Sequence, residues 1–435
     1  MATYLYKTLG TPTGTTKNTL SLWVKIAGLG TNRSPIFANS NAGGVHFRID
    51  DAIDFYNAGG SLRTSRVFRD ISGWYHILAV TDTTLSTADD RLKVYVNGVQ
   101  ETSFSNRSNP SQNATSSLGS ATEHIIGANN TPTNYFNGYM SHVAMVDGQA
   151  LAPTVFGQTD STSGIWKFKS PSGVTWGNNG FHLKFENSGN LGLDSSGESN
   201  TFTANANGRQ VLDTPSNVSA TLNPLAVFLN TSSHTYSNGN NTVATNGSGN
   251  DSNPSSATFG ITTGKWYWET KFVSLASGTA YALTGIMAKA PATNGNYLGG
   301  YDDTYGYAGW NGTVYNNSGS TGNTSGLATY TTGDILGIAL DLDNNRLYFY
   351  KNGAIQNSGT GIVIPAAADT EFGAWFPAVG DWGNTSHVWS CNFGNGYFGT
   401  TAITSAGSNG NGSLFEYDCP SGYYALNTKN INTYG

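Results

Sequence analysis

The sequence predicts an all-β chain of two antiparallel β-sandwich domains of jelly-roll type, joined by a structured connector. Three observations carry that prediction. Period-two apolar alternation recurs along the 435 residues, Gly reaches 55 with Asn comparably abundant, and aromatic residues make up 12%. Gly and Asn disfavour helix at many positions, whereas Trp, Tyr, Phe, Val and Thr suit a pleated, half-buried surface. The aromatics also argue against wholesale disorder, because they can bury enough apolar area to offset ordering entropy.

Leu20, Leu22, Val24 and Ile26 alternate with Ser21, Trp23 and Lys25, which predicts a strand with one apolar face. The run Trp74 to Val80 is more continuously apolar and predicts a central strand. In Arg91 to Gln100, Leu92, Val94 and Val96 share a face and Asn97-Gly98 supplies a two-residue hairpin turn. The phrase returns as Arg346 to Gln356 with Asn352-Gly353 at its turn, so two domains share a hairpin. Upstream, Leu336, Ile338, Leu340 and Leu342 alternate, and in Gly264 to Phe272 the residues Trp266, Trp268 and Phe272 take one face. Helical spacing is nearly absent, the best candidate being a short turn near Ala150 to Phe156, entered through Pro153. Ser161 to Pro224 reads as connector, Ser232 to Ser256 as an exposed loop, and the stretch after Ala406 as a tail that packs along a neighbour.

Charged residues are 11% of the chain, against roughly 25% in average soluble proteins. The net charge is -6 with no Lys/Arg cluster, so nucleic-acid binding is not expected. Met1 to Gly10 lacks the apolar run of a signal peptide and no stretch reaches a membrane span, so a soluble product made in the cytosol is expected. Patterned structure within the first twenty-five residues suggests no N-terminal stalk. Two cysteines exclude a disulfide framework; a Cys391 to Cys419 bridge stays open, since geometry decides it. Asn-x-Ser/Thr triplets such as those at Asn113 and Asn311 carry no weight in so Asn-rich a chain.

The motifs resemble known families. Phe136 to Leu151, after the Trp74 strand and the first hairpin, resembles the closing half of a laminin-G-like, concanavalin-type jelly roll covering residues 1–160. From 218 to 396 the chain resembles a SPRY domain: GKWYWE, Thr304 to Trp310, Gly333 to Gly353, Trp375 to Gly380 and Cys391 to Gly394 come in the family's order. Residues 161–217 form the connector and 397–435 the tail. The connector phrases, among them Val211 to Asn217, and the PSGYYALNTKN tail are similar to tail-fibre and virion surface proteins of tailed, notably marine, bacteriophages. That resemblance implies a non-enzymatic virion component made in the host cytoplasm, assembled as a homo-oligomer, a trimer, among other virion proteins.

Candidate chemistry is sparse. Glycosidases need two carboxylates about 5 to 9.5 Å apart, and the Glu-x-Asp-x-x-Glu run of jelly-roll glucanases is absent; Glu269 sits in a strand with a structural place. Asp341, Asp343 and Asn345 mimic the start of a Ca²⁺ loop but lack its later Gly and Glu, so turn chemistry is the plainer reading. Asp302-Asp303 is better placed for a cation or ligand. The seven histidines show no zinc spacing. No cofactor is therefore expected, Ca²⁺ being the exception left open.

Aromatics are the remaining lead. Tyr301, Tyr305, Tyr307 and Trp310 crowd a Gly-rich stretch with Asp302, Asp303 and Asn311, and flat rings beside amide and carboxylate acceptors suit sugars. The plainer reading makes some of them, especially Tyr307 and Trp310, strand core. Trp382, in the loop Gly380 to Ser386, is the better candidate for an exposed ring. The expected ligand residues are thus Tyr301, Asp302, Asp303, Tyr305, Trp310 and Trp382. The expected function is adhesion to a host surface polysaccharide without cleavage; the alternatives are capsid decoration or a head or tail knob without ligand, and a depolymerase, which nothing in the sequence asks for.

Overall fold

The computed structural model describes residues 3–29, 34–40, 43–205, 208–226, 234–245, 254–275, 281–293, 296–317, 323–383, 386–405 and 412–435. The chain forms two compact units, Met1–Gln210 with Thr214–Ser216, and Val211–Asp213 with Asn217–Gly435. It is nearly all β, with antiparallel sheets in jelly-roll-like domains. No helix among the described residues is long and apolar enough to cross a membrane.

In the first unit, the described residues form an eight-stranded and a six-stranded sheet. The larger runs Phe104–Ser108, Gly60–Val67, Ala52–Asn57, Gly44–Phe47, Ser34–Asn39, Glu123–Ile126, Leu5–Thr8, Thr203–Ala204. The smaller runs Phe181–Leu183, Gly138–Asp147, Lys17–Ile26, Tyr75–Asp82, Leu92–Val96, Val99–Gln100. Alternate residues of both sheets, Leu20, Leu22 and Val24 from one and Val45, Phe47, Ile53 and Phe55 from the other, share one core. The expected connector builds into this unit. Trp166–Phe168 pairs with Gly157–Thr159, and Phe181–Leu183 extends the six-stranded sheet.

The connector's aromatics settle on histidines of that sheet's outer side. Trp166 stacks on His76, Phe168 on His142 at 3.5 Å between centroids, and Trp176 on His182. His142 is aimed by a bulge in its strand, where its φ is 47°.

In the second unit, a nine-stranded and a five-stranded sheet form among the described residues. The first orders Thr235–Ser237, Thr242–Ala244, His387–Asn392, Lys265–Leu275, Ile335–Asp341, Arg346–Lys351, Ala354–Ile355, with Ile362–Val363 on Arg346–Lys351 and Tyr424–Ala425 parallel to Lys265–Leu275. The second orders Ser255–Ser256, Phe376–Asp381, Ala282–Met287, Thr304–Ala308, Val314–Tyr315. Trp266, Trp268, Phe272, Leu336, Ile338 and Leu340 lie in the inner core as their alternation predicts.

Two expectations for this unit are corrected. Three short strands, Thr235–Ser237, Thr242–Ala244 and Ser255–Ser256, arise within the stretch read as an exposed loop, because Val243 is fully buried and its strand pairs with His387–Asn392. Residues 232–233 and 246–253 of that stretch lie outside the described residues. The tail does not wait for a neighbour: Phe415, Cys419 and Ala425 bury themselves on Tyr267 and Ala339, the outer face of their own nine-stranded sheet. Residues 406–411 lie outside the described residues.

The tail also settles the cysteine question. Cys391 faces the inner core and Cys419 the outer cluster, so the sheet separates them and they form no disulfide with each other.

Glu269 anchors the tail. Its buried carboxylate accepts from the backbone N–H of Glu416 at 2.8 Å and of Tyr417 at 2.9 Å, with the Tyr267 hydroxyl at 3.3 Å. Burial pushes this carboxyl up to about 7, against the pull of those N–H donors.

Candidate functional site

The outer side of the five-stranded sheet carries a cluster of aromatic rings. In Ala282–Met287 and Thr304–Ala308, alternate residues such as Ile286 and Tyr307 point into the core, so Leu283, Met287 and Ala308 floor the opposite face. Gly306 is required on that face. A Cβ there would lie 2.1 Å from the carbonyl oxygen of Leu298, so only glycine lets the 296–299 segment cross flat over the strand. Tyr297 is thereby set beside Trp382, with ring centroids 5.2 Å apart.

Five rings close on one another. Trp382 also meets Tyr281 at 5.4 Å and Trp310 at 5.5 Å, while Trp310 stacks on Tyr315 at 5.7 Å and 22°. Antiparallel register brings them together, since Ala282 pairs with Asp381 and Gly306 with Tyr315. The Trp382 N–H donates to the Tyr281 carbonyl, which holds the loop base. Trp382 is 41% exposed and the other four rings are half-buried. Asn311 stands at the edge, its amide donating to the Tyr315 hydroxyl at 2.7 Å.

The six expected ligand residues therefore divide. Trp310 and Trp382 join the cluster; Trp310 is not the strand-core residue of the plainer reading. Tyr301 and Tyr305 are buried and their ring faces are not available: the Tyr305 hydroxyl donates to the Val363 carbonyl and its ring packs on Trp375. Asp302 is an exposed ion-pair partner of Lys289 at 2.8 Å, and the hydrogen bond from that lysine holds its carboxyl below the usual range. Asp303 caps the Glu371 N–H at 3.1 Å from a left-handed φ of 54°. Sequence reasoning missed Tyr281, Tyr297 and Tyr315, which show no local period and meet only through pairing.

Two family models match parts of the chain. A model described as the Concanavalin A-like lectin/glucanases superfamily matches residues 3–155, and a SPRY domain model matches residues 265–392. The chain carries a laminin-G-like domain followed by a SPRY domain. Within it, 91 residues are 38% identical to Ran-binding protein 9 of Danio rerio and 40% identical to Ran-binding protein 10 of the same species. Each match covers 21% of this chain and 14% of the relative's length. The SPRY domain of human HERC1 aligns with a TM-score of 0.27 and 19% identity, over 35% of this chain and 87% of that one.

The turn ahead of the Arg346 to Gln356 hairpin uses its acids internally. Asp341 accepts from Asn344 and pairs with Lys265 at 3.0 Å, and Asp343 accepts the Gly264 N–H. Among the described residues, no group of three or more His, Cys, Asp or Glu is placed to hold a metal ion.

One serine–histidine pair forms in the laminin-G-like domain, Ser21 Oγ to His76 Nε2 at 2.9 Å. The Trp166 indole N–H donates to His76 Nδ1 at 3.0 Å, so the ring proton sits on Nε2 and is donated to the serine. A general base needs the opposite tautomer, and both residues are buried.

Proposed function

We propose that the chain is a non-catalytic adhesion protein of a tailed-phage particle surface, and that the five-ring cluster of its SPRY domain grips a host surface polysaccharide. The observation that carries this reading is the exposed Trp382 held among Tyr281, Tyr297 and Trp310. Packed neighbours fix the indole, so little side-chain entropy is lost when a sugar ring stacks on it. The Asn311 amide at the rim supplies the hydrogen bonding that hydroxyls need. An aromatic contact of this kind contributes about 0.5–1.5 kcal/mol, so a single site is weak and repeated copies on one particle supply the avidity. The particle assignment rests on the likeness of the connector and tail phrases to virion surface proteins.

The experiment is a glycan array and a host-cell adsorption assay with the intact chain and with Trp382→Ala. The reading expects binding to a host surface polysaccharide, unaltered saccharide ends, and about tenfold weaker binding in the variant, the equivalent of about 1.4 kcal/mol. An intact chain that binds no host glycan and no host cell would overturn it.

A further inference from the structure

Two tyrosines of the tail lie face to face. The Tyr424 and Tyr434 rings stack with centroids 3.6 Å apart and an interplanar angle of 2°. Phenol rings left to themselves take offset or edge-on contacts with centroids about 4.5–7 Å apart, so the fold holds this pair together. Tyr307 and Tyr330 show the ordinary case: they meet at 5.1 Å and 75°, and both hydroxyls are spent on backbone carbonyls.

The surrounding chain sets both rings. Tyr424 stands on the short strand parallel to Lys265–Leu275, level with Trp266. Its neighbour Tyr423 packs on the outer cluster and Tyr424 on the inner core, as strand alternation requires. Tyr434 closes the helix Thr428–Tyr434, which Asn427 caps by accepting the Asn430 N–H and which Ile431 pins to the same core. The helix end comes down on Gly264, where φ is 83° and a Cβ would lie 2.3 Å from the Tyr434 carbonyl oxygen.

The two hydroxyls hydrogen-bond each other, so the rings point the same way and the carbons ortho to each oxygen lie over their counterparts. Solvent reaches the pair, since Tyr434 is 37% exposed and Tyr424 half-buried. Two phenols fixed in this way are the reactants of an oxidative coupling already brought together, which turns a bimolecular encounter into an internal step.

We propose that Tyr424 and Tyr434 form a modification site, at which a one-electron oxidant of the haem-peroxidase type joins them as dityrosine and staples the tail helix to the nine-stranded sheet. Each phenol gives up one electron and one proton, and the two phenoxyl radicals bond through facing ortho carbons. Each of these carbons then passes its hydrogen to its own ring's oxygen as aromaticity returns. With hydrogen peroxide as the terminal oxidant, two phenols and one peroxide yield one carbon–carbon bond and two waters.

The experiment exposes the full chain, dilute, to a haem peroxidase and limiting hydrogen peroxide, with N-acetyltyrosine in a parallel tube to confirm coupling. Trypsin cuts after Lys429, between the two tyrosines, so only a covalent link leaves both in one product. The parent is compared with Tyr424→Phe and Tyr434→Phe, each of which keeps the ring and removes the phenol. The expected result is a monomer with dityrosine emission whose main linked product joins the two tyrosine peptides, two hydrogens lighter than their sum, and which each variant loses. Amide exchange over Thr428–Tyr434 should also slow in the linked chain. No link at this pair while N-acetyltyrosine couples, links spread evenly over other tyrosines, or emission retained in both variants overturns the site. A link that leaves the exchange unchanged overturns the staple.

Discussion

Nδ1 of His387 stands 3.5 Å from Oδ2 of Asp381, and this buried pair closes the neck of the loop that carries Trp382. The Thr245 hydroxyl donates to the same carboxylate oxygen and accepts the His387 N–H at 2.9 Å, tying both strands to a third. Asp381→Ala leaves the hydroxyl and the imidazole facing a void, a loss of about 1–3 kcal/mol. The expected outcome is a lower melting temperature together with a red-shifted Trp382 emission; a variant with both unchanged would show that the neck does not position the ring.

The three histidines beneath the connector predict acid sensitivity of the laminin-G-like domain. Burial pushes His76 and His142 down to about 3 and His182 down to about 4, all below the ordinary 6.5. Each ring is neutral when folded and titrates at about 6.5 when unfolded, so its contribution is complete above pH 6.5. It is lost as pH falls from there through the folded value, at up to about 1.4 kcal/mol per pH unit for each ring. Urea unfolding followed by Trp emission should shift to lower midpoints between pH 7 and 5. A flat profile over that range would count against the buried neutral rings.

Glu269 predicts the opposite slope in the SPRY domain. Its folded value of about 7 lies above the ordinary 4.5, so the stability it contributes is full below pH 4.5 and is lost as pH rises through 7. Glu269→Gln should flatten that limb, and it turns one amide donor toward the Glu416 and Tyr417 N–H groups, at a loss of about 1–3 kcal/mol. Thiol labelling of Cys419, which the tail buries against the sheet, should accelerate in this variant. Labelling as slow as in the parent chain would place the anchor elsewhere.

Gly306→Ala isolates the crossing of 296–299 over its strand. The new methyl meets backbone rather than a movable side chain, so the segment must lift, at about 1–3 kcal/mol. Tyr297 moves with it, and glycan binding should weaken although no ring has been removed. Unchanged binding would take Tyr297 out of the cluster's function.

The hairpins were fully legible: Asn97-Gly98 and Asn352-Gly353 adopt the positive φ values their turns require. So was the inward face of Trp266, Trp268 and Phe272, because period two is a local signal. The outward face was not. Glu269 reads as a strand residue with a structural place opposite the apolar face, and no local signal shows that a segment about 150 positions later covers it. The aromatic cluster was half legible for the same reason. Trp382 stood out among Gly and Asn, while Tyr281, Tyr297 and Tyr315 reach it through sheet register that no short window contains.

The tail's anchorage sets a timetable for synthesis. Glu269 and Glu416 are 147 positions apart, so at about 5–20 residues per second the ribosome releases the strand of Tyr267 roughly 7 to 30 s before its cover emerges. In the later part of that interval Tyr348 and Tyr350 join Tyr267 in an aromatic surface that the tail has yet to cover. Slower elongation between Glu269 and Glu416 therefore lengthens the time for which this aromatic sheet face stands open.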